Sequence, residues 1–332
     1  MITMAKNPSI AWLKISNRRL KDNIPDTTVW GKIGMGEILT HRSWISLWMI
    51  IKWAKKRFQK EKPVLYVPEY YCYDTLFQII DEVELVYYPI QESLKPDIKV
   101  CRNLAKEKKP DLFLFVHFYG KLFPINDAFV FCRQQNALLI EDAVHVLISD
   151  NRIGKNSDFI LFSPWKLLGL PDGAILIIGK KNHYIDDGEN IIEYFQKLQD
   201  GFLKDNKFIN RWKLKKIILK VVPITRKKKE VPSLDCSKEA FLRISNYSKK
   251  ILCQISLAEL MEIGEHRKEI CMYMEEYCAR NYGVNPLLKG MEGIPYTAAI
   301  KVDEKRIRDR ISYDFHKVGK IVSQWPRLSP EI

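Results

Sequence analysis

An α/β fold built on a large, mainly parallel sheet is predicted by three features of this 332-residue chain. Short apolar runs alternate with longer helical patterns from about residue 43 to about residue 178. Strands separated by helices of about 10–15 residues form βαβ units, whose sheet is covered on both faces. The length is roughly two domains' worth at ~150 residues each, and a composition of 46% hydrophobic and 28% charged residues supports a sizeable core. One pair of runs, 159–162 and 174–178, has only the turn Gly169-Leu170-Pro171-Asp172-Gly173 near its second member and no helix between, which predicts a local antiparallel pair.

In chain order, the candidate strands are Val64–Val67, Glu84–Tyr88, Leu112–Val116, Ala137–Ile140, Phe159–Phe162 and Ala174–Ile178. The helical stretches between them are Ser43–Gln59, Thr75–Asp81, Val100–Lys106 and Ile125–Gln135. Residues 188–220 read as helical and basic, and Pro223 to Pro232 as a charged, proline-bounded connector. A long helical pattern from about Lys238 to Tyr282 follows, then a strand at Ala298–Val302 and a helix at Lys305–Val318. The expected organisation is an N-terminal extension (1–29), a large α/β domain (30–222), a linker (223–234) and a small α+β domain (235–332).

The longest apolar run, Trp44 to Trp53, is about half of what a spanning helix of ~20 residues needs. The N-terminus lacks the apolar stretch of a secretory signal. Seven cysteines without CxxC pairing suit a reducing compartment, so a cytoplasmic protein is expected. The net charge of +14 could face nucleic acid, an anionic membrane or phosphorylated small molecules. No nucleic-acid-binding pattern accompanies the dense basic stretch 204–229, so no nucleic-acid partner is expected. Trp212, Ile217, Ile218, Leu219 and Val221 interleave with its lysines, which suits weak membrane-surface contact as well as a solvated connector.

Open α/β sheets place reactive groups at the carboxyl ends of their strands. The run ALLIEDAVHVL sets Glu141, Asp142 and His145 just past one strand, and FSPWKLLGLPDGAILI sets Lys166 just past another. A lysine amine that can form a Schiff base, with a carboxylate to hold a pyridinium proton, is the pair a pyridoxal-phosphate site requires. On the residues alone other roles stay open. Asp142 and Thr40 also fit as helix N-caps, His117 and His145 as buried structural histidines, Tyr70 and Tyr71 as packing residues, and Lys166 as a surface lysine. Ser163-Pro164-Trp165-Lys166 spells SxxK, but the downstream elements of a penicillin-binding protein are missing. GKIGMG (31–36) is neither GxGxxG nor a Walker A loop. The six histidines have no zinc-ligand spacing, so no metal is expected.

HFYGK (117–121), LLIEDAVH (138–145), IGKNSDF (153–159) and SPWKLLGLPDGAIL (163–176) follow one another in a familiar order. Together they resemble the DegT/DnrJ/StrS-type family of pyridoxal-phosphate-dependent sugar aminotransferases, clearly over about residues 60–180 and more faintly to the end. The resemblance implies fold type I, pyridoxal 5'-phosphate as cofactor, a keto-sugar substrate carried on a nucleotide, glutamate or glutamine as amino donor, and a homodimer. The stretch from Ser245 to Cys278 is similar to the family's dimer-facing helix. The resemblance makes Lys166 the Schiff-base lysine and proton shuttle, Asp142 the partner of the pyridine nitrogen, and His145 a neighbour of the phenolic oxygen. Thr40, His41 and Arg42 take the place of the family's phosphate loop, with Ser163 also among the cofactor-binding residues. Tyr71 and Cys72 fall where the ring-stacking residue lies, and Asn246 where an asparagine reaches the phosphate from the partner subunit. The chain departs at three points: the family's serine five residues before the lysine is Leu161, its loop glycine is His41, and the arginine after Asn-Tyr is Ser248. Arg42 is then a candidate compensating charge. Two alternatives accompany this reading: a pyridoxal-phosphate enzyme of another outcome, such as a dehydratase or a non-sugar aminotransferase, or a catalytically silent relative that binds partners in glycan assembly.

Overall fold

The computed structural model describes residues 2–4, 27–148, 152–180, 190–200, 212, 243–288, 290–317 and 322–324. A seven-stranded sheet forms the body. Its strands are β2 (Gly36–Thr40), β3 (Val64–Pro68), β4 (Glu84–Tyr88), β5 (Leu112–Val116), β6 (Leu138–Ala143), β7 (Phe159–Phe162) and β8 (Ala174–Ile178), in the order β2-β8-β7-β6-β5-β3-β4. The pairs among β3, β4, β5, β6 and β7 are parallel, whereas β7/β8 and β2/β8 are antiparallel. The antiparallel pair expected at the Gly169–Gly173 turn is thus present.

Side chains alternate across the pleat and sort the core into two layers. Phe159 and Leu161 face one layer with Ile50 and Trp53 of α1 (Ser43–Phe58), Cys101 of α3 (Ile98–Glu107), Phe131 of α4 (Asn126–Gln135) and Phe195 of α6 (Ile191–Asp200). Ile160 and Phe162 face the other, with Ile251 of α7 (Asn246–Gln254) and Leu260 of α8 (Leu257–Tyr282). Both faces of the central strands are therefore dry, as a parallel sheet requires.

The long helical pattern ending at Tyr282 is two helices. Ser256 breaks it, its hydroxyl accepting from the Glu259 backbone N–H while the Glu259 carboxylate accepts from the Ser256 N–H, a capping box that starts α8 afresh. Leu260 and Ile263 of α8 pack on the large sheet. Cys271, Met274 and Cys278, further along, enter a separate small cluster with Ile300, Ile311 and Phe315. This cluster lies under a four-stranded sheet of order β11-β1-β10-β9, formed by β1 (Ile2–Met4), β9 (Asn285–Pro286), β10 (Ala298–Lys301) and β11 (Val322–Gln324). Helix α9 (Lys305–Lys317) supplies Ile311 and Phe315.

The N-terminal boundary differs from expectation. Ile2–Met4 pairs with both β10 and β11, and Thr28 is tied to Glu37 through its backbone N–H and its hydroxyl. Part of the expected extension is therefore a strand of the small sheet, and Thr28 is hydrogen-bonded to a side chain of β2. The stretches 201–211 and 213–242, which hold most of the basic segment and the expected linker, lie outside the described residues. No helix among the described residues is long and apolar enough to cross a membrane.

Candidate active site

Two adjacent parallel strands deliver the central pair. Glu141, Asp142 and Ala143 are the last residues of β6 rather than the loop after it, and Asp142 lies opposite Leu161 of β7. Chain alternation sends the two buried acids to opposite faces. Glu141 accepts from Ser157 Oγ and the Gly154 N–H, and pairs with His117 Nε2 at 2.8 Å. His117 Nδ1 accepts the Phe123 N–H at 3.1 Å, so Nε2 carries the proton and donates to Glu141. This dyad is satisfied on every side and holds the fold.

Asp142, 1% exposed, faces the site. Its Oδ2 accepts from the Tyr71 hydroxyl at 2.7 Å and its Oδ1 from the Val144 N–H at 3.1 Å. Burial raises the acid's pKa above the ordinary carboxylate range, while the Lys166 charge, the two hydrogen bonds and His117 oppose it. Lys166 sits in the single turn α5 (Trp165–Leu168) that follows β7. Its backbone N–H donates to Ser163 O, and Gly169, at φ 68°, ends the turn. The half-buried ammonium also acts electrostatically on Tyr296. The Lys166 charge thus acts on both Asp142 and Tyr296.

His145 forms one wall. Its ring stacks on Tyr296, with centroids 4.2 Å apart and planes within 5°, and lies 6.4 Å from Tyr119. The Tyr296 N–H donates to Tyr119 O at 2.7 Å, and the Tyr119 and Tyr70 hydroxyls meet at 2.5 Å. Arg267, buried on α8, donates to Tyr296 O and to Leu167 O at 2.8 and 2.9 Å. It joins α8 to the residue beside Lys166. The sequence reading missed Tyr296 and Arg267, which lie in the weakly matching C-terminal third. Cys72, next in the chain to Tyr71, is half-buried at the N-cap of the short helix α2 (Tyr73–Leu76).

The loop before α1 is engaged internally. Thr40 is buried, with its hydroxyl donating to Arg42 O and meeting Ser46 Oγ at 2.8 Å. The helix N-cap is Arg42, not Thr40. His41 Nδ1 lies 3.1 Å from Asp172 Oδ2. Asp172 also accepts from the Ser245 N–H and hydroxyl and from Ser248 Oγ. Burial alone would raise the Asp172 pKa, but these donors bring it below its ordinary value. Arg42 stacks on the residue before Lys166: its guanidinium carbon lies 4.0 Å from the Trp165 ring centroid, and Nη1 donates to Pro171 O. Burial lowers its pKa to about 10. Asn246 is exposed as the first residue of α7, on the Asp172 side. Leu161 is packed in the apolar core.

Two buried polar atoms flank Lys166 without a hydrogen-bond partner, Ser163 Oγ and Trp165 Nε1. Buried donors of this kind are normally satisfied. With an amine, a buried carboxylate and a neighbouring guanidinium, they form a donor set that fits pyridoxal phosphate. Among the described residues no group of three or more His, Cys, Asp or Glu could hold a metal ion.

No family model matches the chain, and no curated protein matches it. Solved structures do. PseC of Helicobacter pylori, an aminotransferase involved in the biosynthesis of pseudoaminic acid, is 13% identical over 95% of this chain and 80% of its own, with a TM-score of 0.60. A DegT/DnrJ/EryC1/StrS aminotransferase of Brucella abortus is 12% identical over 94% and 78%, with a TM-score of 0.55. The GDP-4-keto-6-deoxy-D-mannose-3-dehydratase of E. coli, with bound hydrated PLP, is 13% identical over 96% and 77%, with a TM-score of 0.56. In architecture, then, the chain carries the α/β fold that these solved structures share.

Proposed function

We propose that this chain is a pyridoxal-phosphate-dependent aminotransferase acting on a nucleotide-linked keto-sugar, with glutamate or glutamine as donor. The observation that carries the reading is the convergence of Lys166 and Asp142 from neighbouring strand ends on one region, close enough for the lysine charge to act on the acid. The bound cofactor supplies an electron sink that stabilises negative charge on a carbon next to the amine nitrogen. Lys166 Nζ offers the amine for the cofactor aldehyde and, once free and neutral, carries the proton between carbons. Asp142 offers a buried carboxylate to the proton of the ring nitrogen. His145 and Tyr296 give a flat aromatic wall that excludes water. Ser163 Oγ, Trp165 Nε1 and Arg42 supply donors and charge for the phosphate. The net charge of +14 favours a substrate bearing a pyrophosphate. A homodimer is supported by apolar side chains exposed along α8, among them Leu257, Met261, Met272 and Tyr273.

The shared fold of the E. coli dehydratase favours dehydration as the second reading, because one fold serves several outcomes. Product analysis with a 4-keto-sugar nucleotide and glutamate separates the two. The primary test is to load purified protein with pyridoxal phosphate, reduce it with borohydride and map the labelled peptide. The label is expected on Lys166, and the protein before reduction should show a visible absorption band that Lys166→Ala lacks. An unlabelled Lys166, or a band that survives in Lys166→Ala, would overturn the reading.

A further inference from the structure

Tyr71 falls in the segment expected to stack on the cofactor ring, yet its side chain is engaged elsewhere. It is 8% exposed, packed in the main apolar layer, with its hydroxyl 2.7 Å from Asp142 Oδ2. We propose that Tyr71 is a positioning residue that sets the orientation and charge of the Asp142 carboxylate by donating its phenol hydrogen to Oδ2. This rests on the pyridoxal-phosphate reading only in what Asp142 is for.

The argument is one of direction. A carboxylate as buried as Asp142 tends to take up a proton. The groups that face it are Lys166 from α5, His117 after β5, Tyr71 after β3 and Tyr88 of β4. The Tyr88 hydroxyl donates to Leu114 O, which leaves Tyr71 as the phenol bonded to the acid. Burial and the nearby Asp142 charge hold the Tyr71 phenol well above its ordinary pKa, so it stays protonated and acts as the donor. A fixed donor on Oδ2, with the Val144 N–H on Oδ1, stabilises the anion and pins both oxygens. The carboxylate then meets a ring nitrogen already charged and already oriented, with no reorganisation left to make.

The test needs no cofactor. Protein labelled with ¹³C at aspartate carboxyls is titrated, with Asp142 assigned by Asp142→Asn. Hydrogen bonds to charged groups are worth enough that Tyr71→Phe is expected to raise the Asp142 midpoint by about one to two pH units. An unmoved midpoint in a folded Tyr71→Phe protein would overturn the proposal. Should that variant not fold, wild-type protein labelled at tyrosine Cζ supplies the second arm. The Tyr71 signal must move at the Asp142 midpoint, and a flat signal across it also refutes the coupling. If the midpoint shifts while borohydride traps no cofactor on Lys166, the Tyr71–Asp142 coupling stands and the functional reading falls.

Discussion

A single methyl group added at Gly120 tests whether the aromatic wall depends on backbone packing. Gly120 has φ +86°, and a Cβ there would lie 2.4 Å from Ile294 O, 2.9 Å from His145 O and 3.2 Å from Tyr296 N. All three are backbone atoms, so no side-chain rotation relieves the clash. Gly120→Ala therefore adds three costs. Left-handed backbone at a non-glycine residue costs about 1–2 kcal/mol. Pushing 294–296 away strains the Tyr296 N–H to Tyr119 O bond, a net loss of about 1 kcal/mol. It also separates Tyr296 from His145, and an aromatic stack is worth about 0.5–1.5 kcal/mol. The sum is about 3–4 kcal/mol. Gly283→Ala is the control, because Gly283 has φ +66° but nothing within 4 Å of an added Cβ, leaving only the backbone cost. Urea denaturation of the two variants should therefore differ by about 2 kcal/mol, and only Gly120→Ala should alter the near-ultraviolet circular dichroism of the aromatic stack. Equal destabilisation by both variants, with unchanged dichroism, would refute the claim that residues 119–120 hold Tyr296 against His145.

Two further predictions concern buried carboxyls. Burial raises the Glu275 pKa to about 7, against the Ala299 N–H that its carboxyl accepts. The native state then binds more protons than the unfolded one between pH ~4.5 and ~7. Its contribution is complete below the unfolded value and is lost as pH rises through about 7, a decline of up to about 3 kcal/mol. Glu275→Gln should flatten that part of the stability profile, and urea midpoints at pH 5 and pH 8 read the difference. Asp172→Ala removes the acceptor shared by His41, Ser245 and Ser248 and should cost about 3–5 kcal/mol. Amide exchange across α7 should accelerate; unchanged protection there would show that Asp172 does not seat that helix.

The strands that could be read from sequence are those whose physics is local. VLYVP, LFLFV, FILF and AILII are buried at every position, so their continuous apolar runs suffice. β2 escaped because GEILT opens with Gly36 and Glu37 and is only partly buried, and its pairing with β8 spans the intervening domain. β1, β9 and β11 have two or three residues each, too few for any period to show. Lys166 and Asp142 were singled out because each stands at the end of an apolar run, Asp142 within β6 and Lys166 four residues after β7. The Arg42–Trp165 stack and the His41–Asp172 contact were not, since they join segments over a hundred residues apart. Residue type alone cannot report such a contact.

Under the proposed function, the residues expected at the phosphate suggest how a lost residue need not mean a lost role. The serine that the resemblance expects at position 161 is Leu161, which lies beside Asp142 in register and packs in the core. A hydroxyl there would be a buried donor in an apolar layer, costly unless a phosphate always occupied it. Ser163 lies two residues further along, a distance of roughly 6.6 Å in extended chain, at the strand end where its Oγ is buried and lacks a partner. At the facing loop, the place of a small glycine is taken by His41, and Asp172 holds it with Ser248, which stands where the family has an arginine. The Asp172 carboxylate is thereby held as an anion by four hydrogen bonds. Arg42, a cation of this loop, is turned onto Trp165, next to the lysine. Under the proposed function the three departures would act together: the polar groups offered to a phosphate would lie nearer the turn that carries Lys166 than the helix loop, so anchoring and chemistry would draw on the same few residues.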